Sequence, residues 1–385
     1  MIIRLKDSAK LLGIVIMCAC AVLPCALFMN SNKDMARIEH LITEPEVMVV
    51  YNATVDSSNV TAAIAGGALA LMTIVMLFFY IKNYIDTHKS ELGVLKALGY
   101  SNFKIAKSFW VFGLSVFTGA CIGFGIAFAM MPAFYKQMRS GGVLPDVPLR
   151  FNPEMVLFLI MLPTIVFALF AVLYGCFKLK RPALELIRGQ DAIKIRRSMK
   201  KAVSSKTERH FLQDLKKSTI KRRPLLVFLI GFASFCYADT VQMSLTIREL
   251  ASDMMAVMMM GIGFALGLTI LFVAITAVIK GNNKTIAMMR VFGYSEKECA
   301  KAILSGYRPA AAVGFAIGTA YQFGLMYMMI NLFFTEEVIG HVDYGFDIPA
   351  FITALITFAI IYQIFMKVYT RKINRISLKE VMQED

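Results

Sequence analysis

The chain has 385 residues, of which 58% are apolar and 17% charged, against roughly 25% charged in an average soluble domain. With a mean hydropathy of +0.63, this composition excludes an ordinary soluble enzyme, a disordered chain and a disulfide scaffold. It leaves an integral membrane protein, and the net charge of +15 has to be explained by how the basic residues are distributed.

A helix that crosses the hydrocarbon core needs about 20 mostly apolar residues. Windows of that length predict eight spans, at 11–29, 62–81, 109–131, 155–177, 225–240, 254–279, 309–333 and 348–367. The fifth is the shortest, because Asp239 follows its apolar run. The segments 1–10, 82–108, 178–223, 280–301 and 367–385 carry 3, 5, 16, 5 and 5 Lys/Arg. The segments between them on the other side, 30–61, 132–154, 241–253 and 334–347, carry 2, 3, 1 and 0. Such asymmetry is the positive-inside pattern, so both termini are expected in the cytoplasm and no nucleic-acid partner is implied. The first apolar run follows Arg4, Lys6 and Lys10 but is longer than a signal-peptide core and lacks a small-x-small site, so it reads as a retained span. All seven Cys lie in spans or on the cytoplasmic side, which implies no disulfide framework.

The sequence repeats itself. Glu91-Leu-Gly-Val-Leu-Lys-Ala-Leu-Gly-Tyr-Ser101 aligns with Thr285-Ile-Ala-Met-Met-Arg-Val-Phe-Gly-Tyr-Ser295 at an offset of 194. Gly119 and Gly123 in span three align with Gly314 and Gly318 in span seven. Before span one, Leu5-Lys-Asp-Ser8 matches Leu215-Lys-Lys-Ser218 at an offset of 210. The reading is an all-α polytopic membrane protein of eight transmembrane helices, arranged as two tandem four-helix units at 1–178 and 212–385. Units that both enter and leave on the cytoplasmic side are parallel repeats, related by a pseudo-twofold along the membrane normal. The basic linker 179–211 joins them. With 207–222, it reads either as a helix lying on the anionic inner leaflet or as a docking surface.

The repeated segment has a local logic. Residues 88–98 and 282–292 are good helix formers. Gly99 and Gly293 suit the left-handed position that ends a helix, and Ser101 and Ser295 suit the N-cap of the next. Ser295 with Glu298 spells a capping box. Each copy predicts helix, sharp Gly-Tyr-Ser corner with an exposed aromatic, then a helix running into the following span.

The first of these motifs resembles the hallmark of the FtsX-like permease family of ABC transporters, as does the glycine-rich span after it. The second copy is degenerate, with Thr285 in place of Glu91 and Ala287 in place of Gly93. The resemblance implies that the motif contacts a separate ATP-binding subunit, two copies of which would serve one chain holding two units. ATP and Mg would sit on that partner, and this chain would bind no cofactor. The coupling surface it implies comprises Glu91, Gly93, Lys96, Gly99, Tyr100 and Ser101, with Arg290, Gly293, Tyr294 and Ser295. Many family members carry a large outside domain between spans one and two; here only residues 30–61 occupy that place.

Other features are sparse. Gly119-x-x-x-Gly123 and Gly314-x-x-x-Gly318 permit close helix packing. Asp239 and Arg308 are the candidate intramembrane charges; both fall near span ends, which favours snorkelling or a deflected helix entry over a substrate site. The sequence has no P-loop motif. His40, His88, His210 and His341 lack metal-ligand spacing, so no metal is expected. The segment 334–347 holds Glu336, Glu337, Asp343 and Asp347 and no basic residue, which would attract a cationic peptide. The expected function is the permease subunit of an ABC transporter in a bacterial cell membrane, embedded in lipid and moving an amphipathic, lipid-like or peptide substrate outward. The alternatives are a mechanotransmitter that relays ATPase strokes without transport, and a secondary transporter.

Overall fold

The computed structural model describes residues 8–138, 147–184, 224–250, 253–333 and 345–374. Residues 185–211 of the basic linker, the matched lead-ins 5–7 and 215–218, and the acidic residues Glu336, Glu337 and Asp343 lie outside them. Every described element is helical, and the helices fall into two compact units.

The first unit contains α1 (Ser8–Ala36), α2 (Pro45–Thr87), α3 (Lys89–Ala97), α4 (Asn102–Ala106), α5 (Trp110–Met138), α6 (Pro153–Val156) and α7 (Leu162–Lys178). A π-turn, Leu157–Met161, joins α6 to α7. Pro163 follows it and offers no N–H to the preceding turn, so the wider turn accommodates the ring. The second unit contains α8 (Pro224–Leu250), α9 (Asp253–Gly281), α10 (Asn283–Val291), α11 (Glu296–Leu304), α12 (Arg308–Phe333) and α13 (Ile348–Asn374).

Among the described residues, six stretches are long and apolar enough to cross a membrane: Leu11–Ala36, Asn102–Gln137, Pro153–Lys178, Pro224–Thr246, Val257–Ile279 and Ile348–Val368. This is a multi-pass membrane protein. Within each unit the first helix is the hub. α1 packs against α2 and α5, and α8 packs against α9, α12 and α13. The last helix of each unit is peripheral, with Leu162, Ile165, Leu169 and Leu173 exposed on α7 and Ile352, Ile356, Ile360 and Ile364 on α13. Aliphatic rows of this extent suit lipid and would not persist against water.

The hub contacts are glycine contacts. A methyl on Gly119 would lie 2.5 Å from the Val15 carbonyl oxygen, and one on Gly123 would strike the Ala19 carbonyl. In the second unit Gly314 lies against Gly231, and a methyl on Gly318 would lie 2.5 Å from the Phe235 carbonyl oxygen. Both pairs advance in step, so α1/α5 and α8/α12 are parallel pairs in the same register. The contacts relate Val15 to Gly231 and Ala19 to Phe235. The first helices are therefore equivalent at an offset of 216, while the lead-in match at 210 lies outside the described residues.

Three expectations change. The outside segment 30–61 is mostly helix and only residues 37–44 connect: α1 continues to Ala36, and α2 runs unbroken for 43 residues from Pro45. Tyr51, 4% exposed, donates to the Met35 carbonyl at 3.4 Å, and the Asn32 amide donates to Asn59 at 2.6 Å. The polar stretch is thus the base of a helical pair. The fifth window does not end at 240, because α8 continues to Leu250. Asp239 consequently lies inside a continuous helix and is 4% exposed, not near a span end.

Candidate coupling elbows

The first elbow is α3, a corner, α4, a 3-10 turn at Lys107–Phe109, then α5. The second is α10, a corner, α11, a 3-10 turn at Ser305–Tyr307, then α12. The turns break the expected uninterrupted run into the following span. At the corners Gly99 and Gly293 both have φ of +87°. The Gly99 N–H donates to Lys96 O at 3.1 Å and the Tyr100 N–H to Leu95 O at 3.2 Å; Gly293 and Tyr294 donate likewise to Arg290 O and Met289 O, both at 3.1 Å. This double bond is the Schellman closure, which demands a residue at positive φ in the glycine position.

Serine starts the next helix in both copies. Ser101 Oγ accepts from the Lys104 N–H at 3.2 Å. Ser295 Oγ accepts from the Glu298 N–H at 3.4 Å, and the Glu298 carboxylate accepts in return from the Ser295 N–H at 2.9 Å and hydroxyl at 2.8 Å. The Ser295 hydroxyl, and after it the Ser295 N–H, hold the Glu298 carboxyl below its usual value. The spelled capping box is present, and each corner is a rigid joint built by local bonds.

Exposed Gly99→Ala and Gly293→Ala variants should each lose about 1 kcal/mol, because a Cβ disfavours positive φ. Gly67→Ala in α2, where a methyl meets nothing within 4 Å, should gain a few tenths, up to about 1 kcal/mol. Thermal unfolding in detergent reads the opposite signs.

The sequence-derived residues divide by role. Gly93 and its counterpart Ala287 face inward with Leu92 and Ile286. Lys96 reaches back to the turn that closes α7, where its ammonium donates to Leu179 O at 2.5 Å and Arg181 O at 2.6 Å. A cation on these terminal carbonyls ties the elbow to the end of the fourth helix. Glu91 is exposed and lies 3.3 Å from His88 Nδ1. Tyr100 is exposed, with the Lys104 ammonium 4.9 Å from its ring centre. Tyr294 is not the exposed aromatic expected: it packs on Met289, Cys299 and Ala302, the contact across the Schellman bond. Arg290 is half-buried, and Arg308 is exposed at the first residue of α12.

The residues that sequence reading passed over are apolar. Leu98 is 70% exposed and Phe292, at the same place in the second copy, 78%. Val94 and Met288, one turn earlier, are exposed too. Leu98 and Phe292 each hold the last position before the corner glycine, and the 194 offset alone pairs them. Their signal was available: a large apolar side chain on both sides of the repeat, where neither copy can bury it.

Among the described residues no group of three His, Cys, Asp or Glu side chains gathers to hold a metal ion. The family model of the FtsX-like permease C-terminal domain matches twice, at residues 63–182 and 257–378; each match contains one elbow. A relative, an uncharacterized ABC transporter permease of Mycoplasma genitalium, is 21% identical over 168 residues, which is 43% of this chain and 12% of that protein. The chain thus spans a small fraction of that relative's length. No solved structure matches it with significance. The two matches take in most of the last three long helices of each unit and, together, more than half of the chain: it belongs to the FtsX-like permease family.

Proposed function

We propose that this chain is the membrane subunit of an ABC transporter in a bacterial cytoplasmic membrane. ATP-binding subunits, two per chain, dock at the two elbows and carry the ATP and Mg. The observation that carries this reading is the duplicated joint, a Schellman corner clamped by serine, with Leu98 and Phe292 left uncovered at equivalent positions. An exposed apolar side chain on a rigid corner is an anchor for a partner, and the joint leads directly into α5 and α12. A stroke applied there reaches those helices without loss in a flexible loop.

The reading includes eight spans, with α2 and α12 joining the six above, both termini in the cytoplasm, and units at 1–178 and 212–385 joined by the basic linker 179–211. The substrate is amphipathic, lipid-like or peptide in character and moves outward. One observation favours mechanotransmission without transport as the second reading. α2 is a continuous helix of 43 residues, roughly 65 Å long, about twice the hydrocarbon thickness. It enters the first elbow and reaches well past the other face, so it could carry displacement to an outside partner.

The test is co-purification from native membranes in mild detergent. Wild type is expected to bring an ATP-binding protein with it. Leu98→Asp with Phe292→Asp is expected to insert normally and arrive without it, since each charge desolvates against an apolar socket. Wild type arriving alone would overturn the reading. Substrate-stimulated ATPase activity with measured efflux from liposomes then separates transport from relay.

A further inference from the structure

The second unit carries a polar seam that the first does not. Gly318 lies against Phe235, and one turn further along this parallel pair comes Asp239 on α8, level with Gln322 on α12. Both are 4% exposed. Gln242, 2% exposed, donates to Thr319 Oγ1 at 2.8 Å on the same interface. The Gln322 amide nitrogen is fully buried and has no hydrogen-bond partner among the described residues. Asp239 takes part in no hydrogen bond among the described residues. At the same level in the first unit, four residues after Ala19 and Gly123, stand Leu23 and Ala127, both buried. Helix packing in this register is therefore met by apolar residues, and it does not require a carboxyl and an amide. Ionisable groups inside a span, unpaired and not needed for packing, mark a ligand.

The surface beside the seam suits one class of ligand. Phe228, Phe232 and Phe235 form one stripe of α8, with centroids 5.7 and 5.9 Å apart and near-parallel planes. Tyr321 of α12 continues it, 5.4 Å from Phe235. Spacing of four, three and four residues places Asp239 next on that stripe. The aromatic row is exposed at its start, where Phe228 is 54% exposed, and Tyr321 at its other end is 41% exposed. It is an apolar track that ends at a buried acid, with ring faces able to hold a cation.

We propose that this seam binds a cationic amphiphile, its ammonium at Asp239 with Gln322, Gln242 and the Tyr321 ring around it, and its apolar body along Phe228, Phe232 and Phe235. The inference rests on the transport reading and names its substrate class. An elongated chain matches the track, and a single positive charge matches the single carboxyl. As the seam is closed around Asp239, entry requires α8 and α12 to part at Tyr321 and Gln322, beyond the glycine contacts that hold them.

The experiment uses the purified full chain in lipid nanodiscs and a photoreactive dodecylamine, with labelled peptides mapped by mass spectrometry. Label is expected on the peptides holding Phe228–Phe235 and Tyr321. Dodecylammonium should compete it away, and dodecanol and dodecyl sulfate should not. Asp239→Asn should weaken that competition about tenfold or more. If that variant does not accumulate, Tyr321→Leu keeps the carboxyl and should weaken it through loss of the ring. Uniform label over all apolar helices, equal competition by dodecanol, or variants that behave as wild type would each overturn the site. Displacement by sodium but not choline would reassign the carboxyl to an alkali ion and overturn the amphiphile. Loss of charge selectivity in a chain that still captures its ATPase sinks this site alone; absence of the ATPase sinks the transport reading and leaves the labelling result standing.

Discussion

Gly314→Leu should abolish the stable second unit, and even Gly314→Ala should cost about 3 kcal/mol, the upper end of what overpacking does in a filled interior. The reason is what the new atom would meet. At Gly314 it is driven into the backbone of Gly231, and a backbone carbonyl inside a helix cannot turn aside. The facing glycine behaves differently. A methyl on Gly231 would lie 3.3 Å from the Ala310 carbonyl oxygen, a tight contact that a small shift relieves. Gly231→Ala should therefore cost under about 1 kcal/mol although the two glycines touch. Gly324→Leu, on the same helix with nothing within 4 Å, should be silent. Titration with a denaturing detergent, followed by protease protection of the inserted chain, ranks the variants. Equal sensitivity at 314 and 324 would break the close-approach account. The contact matters because membrane helices gain little from apolar burial and depend on close packing.

What could be read from the sequence follows from whether the cause was local. The corners were legible because a Schellman glycine and an N-cap serine act within six residues, and Gly99, Ser101, Gly293 and Ser295 occur at that spacing. The four packing glycines were legible as a pattern, but their partners were not. Val15, Ala19, Gly231 and Phe235 are ordinary residues on the other helix, and only three-dimensional register selects them. Hydropathy windows misjudged both long polar-ended helices for one reason. They stop at charged or amide residues, whereas a helix stops when its backbone bonds stop. Pro45–Val60 remains helical because Tyr51 and Asn59 find partners on α1, and α8 passes Asp239 because α12 covers it. Leu98 and Phe292 were overlooked because an apolar residue in a hydrophobic chain draws no notice until the fold leaves it bare.

Asp34→Ala should be the most damaging single change in the first unit after the packing glycines, costing about 3–5 kcal/mol, the range for removing one member of a buried charged set. The side chain of Asp34 is fully buried. One carboxylate oxygen accepts from the Tyr135 hydroxyl at 2.8 Å, the Asn30 amide at 3.2 Å and the Arg150 N–H at 3.3 Å. The other accepts from Arg37 at 3.2 Å and the Asn152 amide at 3.3 Å. These donors come from α1, α5 and the segment that leads into α6, so one carboxylate ties three parts of the unit together. Asn152 and Arg37 also bond each other at 2.6 Å, and Asn152 donates to Asn30 at 2.8 Å. Removing the carboxylate leaves several buried donors facing one another. Asp34→Asn should be nearly as harmful, since its new amide nitrogen confronts donors on one side. Tyr135→Phe removes a single bond and should cost only about 1 kcal/mol. In combination with Asp34→Ala it should add almost nothing, because the hydroxyl has then already lost its acceptor. Detergent-unfolding midpoints for the two single variants and the double supply the cycle. Additive losses would show that Asp34 and Tyr135 act independently and that the carboxylate is not the hub. Residues equivalent to Asn30 and Asp34 in the second unit are Thr246 and Leu250, by the offset of 216. This tie therefore belongs to the first unit alone, just as the seam at Asp239 belongs to the second, and the two repeats have diverged in their polar interiors while keeping their glycine contacts and elbows.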